Sequence, residues 1–185
     1  MSRYVLGEGR TLVIERGDIT KVEVDAVVNA ANPSLMGGGG VDGAIHRAAG
    51  RELLLACRDL PKNPQGVRCI TGEARITPGF ELPARFVIHT VGPIYHRIPR
   101  ADSRRLLALA HRSSLQLARD SNLETVAFPA ISCGAYRFPL DEAATIALET
   151  CRDFSEGLRE VRFVHFTQAT LDAWTAAAEG LFAPA

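Results

Sequence analysis

Asp25-Ala26-Val27-Val28-Asn29-Ala30-Ala31-Asn32-Pro33-Ser34-Leu35-Met36-Gly37-Gly38-Gly39-Gly40-Val41-Asp42-Gly43-Ala44-Ile45-His46 begins as an apolar run and ends as the start of an amphipathic one. Residues 25–29 are compact and mostly apolar, as in strands buried on both faces of a parallel sheet. From Asp42 to about Cys57 the residues Ile45, Ala48, Ala49, Leu53 and Ala56 recur at helical spacing, which predicts one helix ending near Arg58, ahead of Pro61. Four consecutive glycines lie between strand and helix. Their amide N–H groups can form a concave nest, and a helix start adds free N–H groups and a positive dipole end, so the segment suits a diphosphate. Asp42 argues against a plain anion site: a carboxylate ~4–6 Å from a phosphate costs roughly 3–4 kcal/mol at an effective dielectric of about 20. Asp42 either caps the helix or takes part in chemistry.

Outward from this stretch, residues 11–15 are a β-prone run stopped by Arg16-Gly17-Asp18-Ile19-Thr20, which puts Asp18 just past a strand end. Residues 62–66 read as a polar loop. Residues 73–77 and 85–90 read as two strands of a hairpin, with turn signals at Pro78-Gly79 and Pro83. Asp102 or Ser103 is expected to cap a second helix, with Leu106, Leu109, Ala110, Leu117 and Ala118 on one face as far as Asn122. A strand at 125–128 is followed by the loop 131–137, and Pro139 opens a third helix carrying Ala143, Ile146, Ala147 and Thr150. A last strand at 161–166 precedes a final helix from about Ala169 to Leu181. The alternation predicts the α/β class: a three-layer α/β/α sandwich on a mixed, mostly parallel sheet, as one domain over 1–185.

At 185 residues and 46% hydrophobic, the chain is long enough for a substantial core. Lys+Arg and Asp+Glu balance at 21 each, so no global field draws in a nucleic-acid backbone or an anionic membrane, and any phosphate recognition must be local. Cys57, Cys69, Cys133 and Cys151 form no CxxC pair, and no apolar N-terminal run resembles a signal peptide or a spanning helix. A reducing, cytoplasmic setting is expected.

Asp18, the loop from Asn29 to Asp42, the loop 132–137 and Phe166-Thr167 all follow predicted strands. Ligands of open α/β sheets bind outside the carboxyl ends of the strands, so these loops can converge on one crevice. Its chemistry suits a nucleotide. Asp18 can accept from an adenine amine, Phe166 can pack on a base, the Asn32 amide can bond ribose hydroxyls, and two glycine-containing loops can clasp phosphates. Blander readings stand beside these: Asp18 as an Asx-turn or helix cap, Phe166 as core, Asn29 and Asn32 as turn holders. Gly38-Gly39-Gly40-Val41-Asp42-Gly43 formally satisfies GxGxxG, but seven residues separate Asn29 from Gly37 and no acid-terminated strand follows ~20 residues on. A Walker loop would need Gly-Lys-Ser/Thr where Asp42-Gly43 stands.

Gly17-Asp18-Ile19-Thr20, Val24 to Asn32, Gly37 to Gly43 and Ile45-His46-Arg47-Ala48-Ala49-Gly50 closely resemble the macrodomain family, in its MacroD-like hydrolase class. The resemblance continues through Thr71-Gly72-Glu73-Ala74, Leu82-Pro83-Ala84, Val87 to Pro93 and Phe128 to Ser132, and so covers about Gly17 to Phe166. It implies binding of ADP-ribose and hydrolysis of mono-ADP-ribose esters on acidic protein side chains, with O-acetyl-ADP-ribose as a small-molecule substrate. ADP-ribose is then ligand and product, and no cofactor or metal is expected. By the same resemblance, Asp18 takes the adenine amine, Ile19 offers a backbone amide, and Phe166 lies beside the adenine. Gly39, Gly40 and Val41 embrace the diphosphate together with Ser132, Cys133, Gly134, Ala135 and Tyr136. Asn32 contacts the distal ribose and Asp42 faces it, placed to orient or deprotonate a water jointly with a substrate phosphate oxygen. His46, one helical turn later, either steadies Asp42 or is a histidine satisfied at the helix–sheet interface.

Cys133 and Arg137 depart from the family pattern, where threonine and glycine are common. No histidine partner for Cys133 is evident, which argues against a thiol nucleophile, and Arg137 reads as an exposed loop arginine. A clustered Cys/His set is missing around the glycine loop, which disfavours the metal-dependent branch. The competing functions are an ADP-ribose reader, which has no use for Asp42, and a nucleic-acid module acting on terminal phosphate or ADP-ribose groups, which the neutral charge disfavours.

Overall fold

The computed structural model describes residues 1–185. Seven strands, β1 (Ser2–Gly7), β2 (Arg10–Arg16), β3 (Ala26–Ala30), β4 (Ala74–Pro78), β5 (Phe86–Thr90), β6 (Thr125–Phe128) and β7 (Glu160–His165), form one sheet in the order β1-β2-β7-β6-β3-β5-β4. The five inner strands are parallel, and the edge strands β1 and β4 run antiparallel to their neighbours. Five helices, α1 (Gly40–Ala49), α2 (Arg51–Asp59), α3 (Arg100–Asp120), α4 (Leu140–Phe154) and α5 (Gln168–Leu181), cover the two faces. This is the expected mixed, mostly parallel α/β/α sandwich.

β3 shows why its residues read as apolar without alternation. Val27 packs with Ile45, Ala49 and Leu53 under α1 and α2, while Val28 joins Leu107, Leu115, Ala147 and Trp174 under α3, α4 and α5. Each fully buried Val, Ile or Leu among them contributes roughly 1.5–3 kcal/mol, and both strand faces are used. Asn29 and His89 share the faces of Val27 and Val87, so both point toward the layer of α1 and α2.

Four expectations shift. β1 was not anticipated; it hairpins onto β2 and buries Tyr4 and Leu6 on alternate positions. The single helix predicted from Asp42 is two, and the first begins at Gly40. Gly50, at φ +81°, breaks it, because the left-handed region that glycine alone enters cheaply ends an α-helix. α3 begins at Arg100 behind Pro99 rather than being capped by Asp102 or Ser103; Ser103 is buried, and its hydroxyl donates to the Tyr95 carbonyl at 3.2 Å. The last strand ends at His165, which leaves Phe166 outside the sheet. No helix is long and apolar enough to cross a membrane.

The chain leaves β3 toward β5 on one side and later returns to β6 on the other. Strand order therefore reverses between β3 and β6, and the loops leaving these two strands part there to open a crevice.

Candidate active site

The crevice has two lobes. One, about 340 Å³, is lined by Asn32, Gly38, Gly39, Asp42, Gly92, Ser132, Ala135 and Tyr136. The other, about 640 Å³, is lined by Asp18, Ile19, Arg47, Cys133, His165 and Phe166. Gly40, Val41, Ala130 and Gly134 line both, so the two loops meet at a saddle between the lobes. All twelve residues expected to contact a ligand lie on these walls.

The loop after β3 is held from behind. Buried Arg68 donates to the carbonyls of Ser34 and Arg58, and the backbone amides of Arg68 and Cys69 donate to the Pro33 carbonyl. Asn32 does hold a turn, its Oδ1 accepting from the Ser34 amide at 3.1 Å. Its Nδ2 also donates to the Gly37 carbonyl at 2.9 Å, and its second N–H is left for the lobe it lines. Gly40 sits at φ +58°, which turns the chain into α1 at the saddle. Gly39, just before the helix, supplies no side chain to cap it, so the first helical N–H groups stay available to an anion.

Asp42 is in the first turn of α1 and caps nothing. It is 4% exposed, and its Oδ1 accepts from Asn29 Nδ2 at 2.8 Å. His46 Nε2 stands 3.4 Å from the same oxygen, misaligned for a hydrogen bond and with no other partner. Burial raises the Asp42 carboxyl above its ordinary range, while the Asn29 bond and the nearby His46 pull it back down. Oδ2 points the other way: a methyl placed on Gly38 would come within 3.0 Å of Asp42 Oδ2 and 3.4 Å of Asn32 Nδ2. Carboxylate and amide thus share one corner of the smaller lobe.

The opposite wall is the loop after β6. Ser132 (φ +63°) and Arg137 (φ +54°) hold left-handed conformations, and the turn is closed by the Phe138 amide donating to the Ser132 carbonyl at 3.0 Å. The Ser132 hydroxyl is buried without a protein partner in the wall of the lobe. Arg137 is exposed and lines neither lobe. Burial pushes the Cys133 thiol up to about 12, and its Sγ donates to the Ile131 carbonyl at 3.4 Å, so the group is unsuited to nucleophilic attack.

At the far end Asp18 is the turn cap that its residue type suggests, and it stands on the wall of the crevice as well. Its Oδ1 accepts from the Thr20 amide (3.0 Å) and hydroxyl (2.7 Å), capping a short 3₁₀ turn and holding the carboxyl below its usual range, while the side chain also lines the larger lobe. Phe166 is 83% exposed at the mouth, which rules out the core reading. His46 lines neither lobe. Sequence reasoning missed Asn29 as the partner of Asp42, along with Arg68 and His89. The available signal was a polar residue ending a strand buried on both faces, where a side-chain amide needs partners.

A mixed α/β/α sandwich with a two-lobed, backbone-walled crevice at its strand-order reversal is the architecture of a nucleotide-type binding domain. The chain belongs to the Macro domain family, whose sequence profile matches residues 28–147. It is 51% identical over 162 residues to the Macro domain-containing protein CT2219 of Chlorobaculum tepidum, covering 86% of this chain and 90% of that one. A solved Oceanobacillus iheyensis macrodomain variant with ADPR is 44% identical, with a TM-score of 0.90 and 97% of each chain covered. A Trypanosoma brucei macrodomain in complex with ADP-ribose is 38% identical, with a TM-score of 0.80, over 90% of this chain and 68% of that one. The family and fold expected from the sequence motifs are therefore the observed ones.

Proposed function

We propose that the protein binds ADP-ribose in this crevice and hydrolyses it from acidic protein side chains and from O-acetyl-ADP-ribose. The observation that carries the reading is the place of Asp42: a carboxylate tied back by Asn29, with its second oxygen in the corner of the smaller lobe beside Asn32 and beyond the glycine saddle. Solved relatives with ADP-ribose bound support the ligand.

In this reading adenine occupies the larger lobe, with its amine on Asp18, a backbone N–H from Ile19, and Phe166 beside the ring. The diphosphate lies on the saddle against Gly39, Gly40 and Val41 and the loop from Ser132 through Cys133, Gly134 and Ala135 to Tyr136. The distal ribose fills the smaller lobe against Asn32. Asp42 orients a water and takes its proton as the oxygen adds, sharing that work with a phosphate oxygen of the substrate. The water oxygen bonds to the ester carbonyl carbon, the bond from that carbon to the ribose oxygen breaks, and the proton taken from water passes to the ribose oxygen, giving ADP-ribose and a free carboxylic acid. The loop N–H groups stabilise charge that builds up on the way. His46, 3.4 Å from Oδ1 without a hydrogen bond, steadies Asp42 by packing beside it. ADP-ribose is ligand and product, not cofactor.

The test is incubation with a protein mono-ADP-ribosylated on glutamate or aspartate, and separately with O-acetyl-ADP-ribose, followed by chromatography of released ADP-ribose. Release from both is expected. Calorimetric binding of ADP-ribose without release from either would make the protein a reader.

A further inference from the structure

Behind Asp42 lies a chain of side chains that the crevice does not touch. Asn29 and His89 are register partners on β3 and β5, and both are 0% exposed. Asn29 Nδ2 lies 2.8 Å from Asp42 Oδ1 and 3.1 Å from His89 Nδ1, while His89 Nε2 lies 2.9 Å from Thr77 Oγ1 on β4. Proton positions follow from the ends inward. An ionised carboxylate only accepts, so the Asn29 amide must turn its nitrogen toward Asp42. Its second N–H then meets His89 Nδ1, which must carry a lone pair. The histidine proton is therefore on Nε2 and goes to the Thr77 oxygen. Burial pushes His89 down to about 3, so it stays neutral in this tautomer. Asn29 Oδ1 has no partner, so only Asp42 and His89 hold the amide this way round. Cys57 Sγ, 3.6 Å from His89 Nε2, is the one other group at that nitrogen, and burial holds its thiol up at about 11.

A proton on the Asn29-facing lone pair of Asp42 Oδ1 would need every one of these bonds to reverse: amide turned over, histidine proton on Nδ1, threonine hydroxyl donating. A proton on the other lone pair would weaken Oδ1 as an acceptor for the amide, with only the misaligned His46 Nε2, 3.4 Å away, to receive it. A proton arriving on Oδ2 leaves the chain unchanged. We propose that His89 and Thr77 are positioning residues for Asp42, which through the Asn29 amide hold Oδ1 as an acceptor and leave Oδ2 as the oxygen that takes the proton from water. This rests on the hydrolase reading above. The charged and titratable groups facing Asp42 are His46 on its own helix and Cys57 on α2, with His89 behind Asn29.

The experiment compares Thr77→Val, Thr77→Ser and His89→Phe with wild type. Thr77→Val keeps the shape and removes the acceptor for Nε2–H. The expected result is kcat lower by about tenfold in Thr77→Val and His89→Phe, with the Kd for ADP-ribose within about twofold, because geometry at the reacting water is disturbed and binding is not. Thr77→Ser, which restores the hydroxyl, returns kcat to within about threefold of wild type. In wild type, nitrogen NMR should find the His89 proton on Nε2 at neutral pH. A proton on Nδ1 would overturn the proposal, as would Thr77→Val with wild-type kcat, or kcat and affinity falling together with the melting temperature. Should His89→Phe not fold, Thr77→Val and the tautomer still decide. A wild type that binds ADP-ribose and hydrolyses nothing defeats the hydrolase reading and, with it, the proton-taking role; the tautomer measurement then separates that failure from a wrong hydrogen-bond assignment.

Discussion

Replacing Asp42 by asparagine keeps an Oδ1 acceptor for the Asn29 amide, 2.8 Å away, and removes only the charge and the basicity. Were the carboxylate directed at the diphosphate from ~4–6 Å, losing it would relieve roughly 3–4 kcal/mol and tighten ADP-ribose more than about 100-fold. The carboxylate is instead drawn back toward β3, with Oδ2 in the Asn32 corner, so Kd is expected to change by less than about tenfold. Hydrolysis is expected to fall about 10²–10³-fold, roughly 3–4 kcal/mol in the barrier, as for loss of a general base whose work a phosphate oxygen partly shares. The pH dependence has a defined sign. The folded-state pKa of Asp42 is raised, chiefly by burial, so its contribution to stability is full below the ordinary carboxyl value of 3.8 and is lost as pH rises through the folded value. The asparagine variant has no such loss. Its melting temperature should therefore gain on wild type between pH 4 and pH 7, while the acid limb of wild-type hydrolysis should lie above the ordinary carboxyl range. Calorimetry, chromatography of released ADP-ribose and thermal melts measure the three quantities. An unchanged hydrolysis rate, or affinity raised 100-fold, would refute the placement of the carboxylate.

Asp18→Ala should weaken ADP-ribose by tenfold or more while losing only about 1 kcal/mol with the cap of the short turn it holds; unchanged calorimetric binding would sink the adenine assignment. Phe166→Ala leaves no cavity, because the ring is exposed, so the melting temperature should hold while affinity falls by about 1–3 kcal/mol if a base stacks there. Gly38→Ala puts a methyl 3.0 Å from Asp42 Oδ2, and hydrolysis should suffer more than ADP-ribose affinity; equal losses would place the reacting water elsewhere. Cys133→Ala should keep the hydrolysis rate within about twofold, and the native thiol should alkylate slowly at pH 8, since burial holds it near 12.

The legible parts of the fold were those with a local cause. β3 and β6 are apolar because both faces are covered; the β4–β5 hairpin announces itself by Pro78-Gly79; α4 and α5 follow their apolar spacing. β1 escaped because an edge strand with one buried face carries a weak pattern over six residues. The break at Gly50 escaped because apolar spacing continues across it, and what makes the glycine turn there is a backbone angle, not a change in composition.

At the site, the sequence by itself determined the chemistry: a glycine loop before a helix, a carboxylate within that helix start, an acid and an aromatic ring just past two strand ends. These are short-range features, and residue type and spacing carry them. Only the tertiary structure decided what Asp42 faces. Its partner Asn29 lies 13 residues away, Asn29 meets His89 60 residues on, and His89 meets Thr77 across a hairpin. Strand register brings those side chains onto one face of the sheet beneath α1, where burial leaves each of them dependent on the others for its hydrogen bonds. Register is a property of the whole sheet, so the orientation of the carboxylate became readable only once the strands were paired.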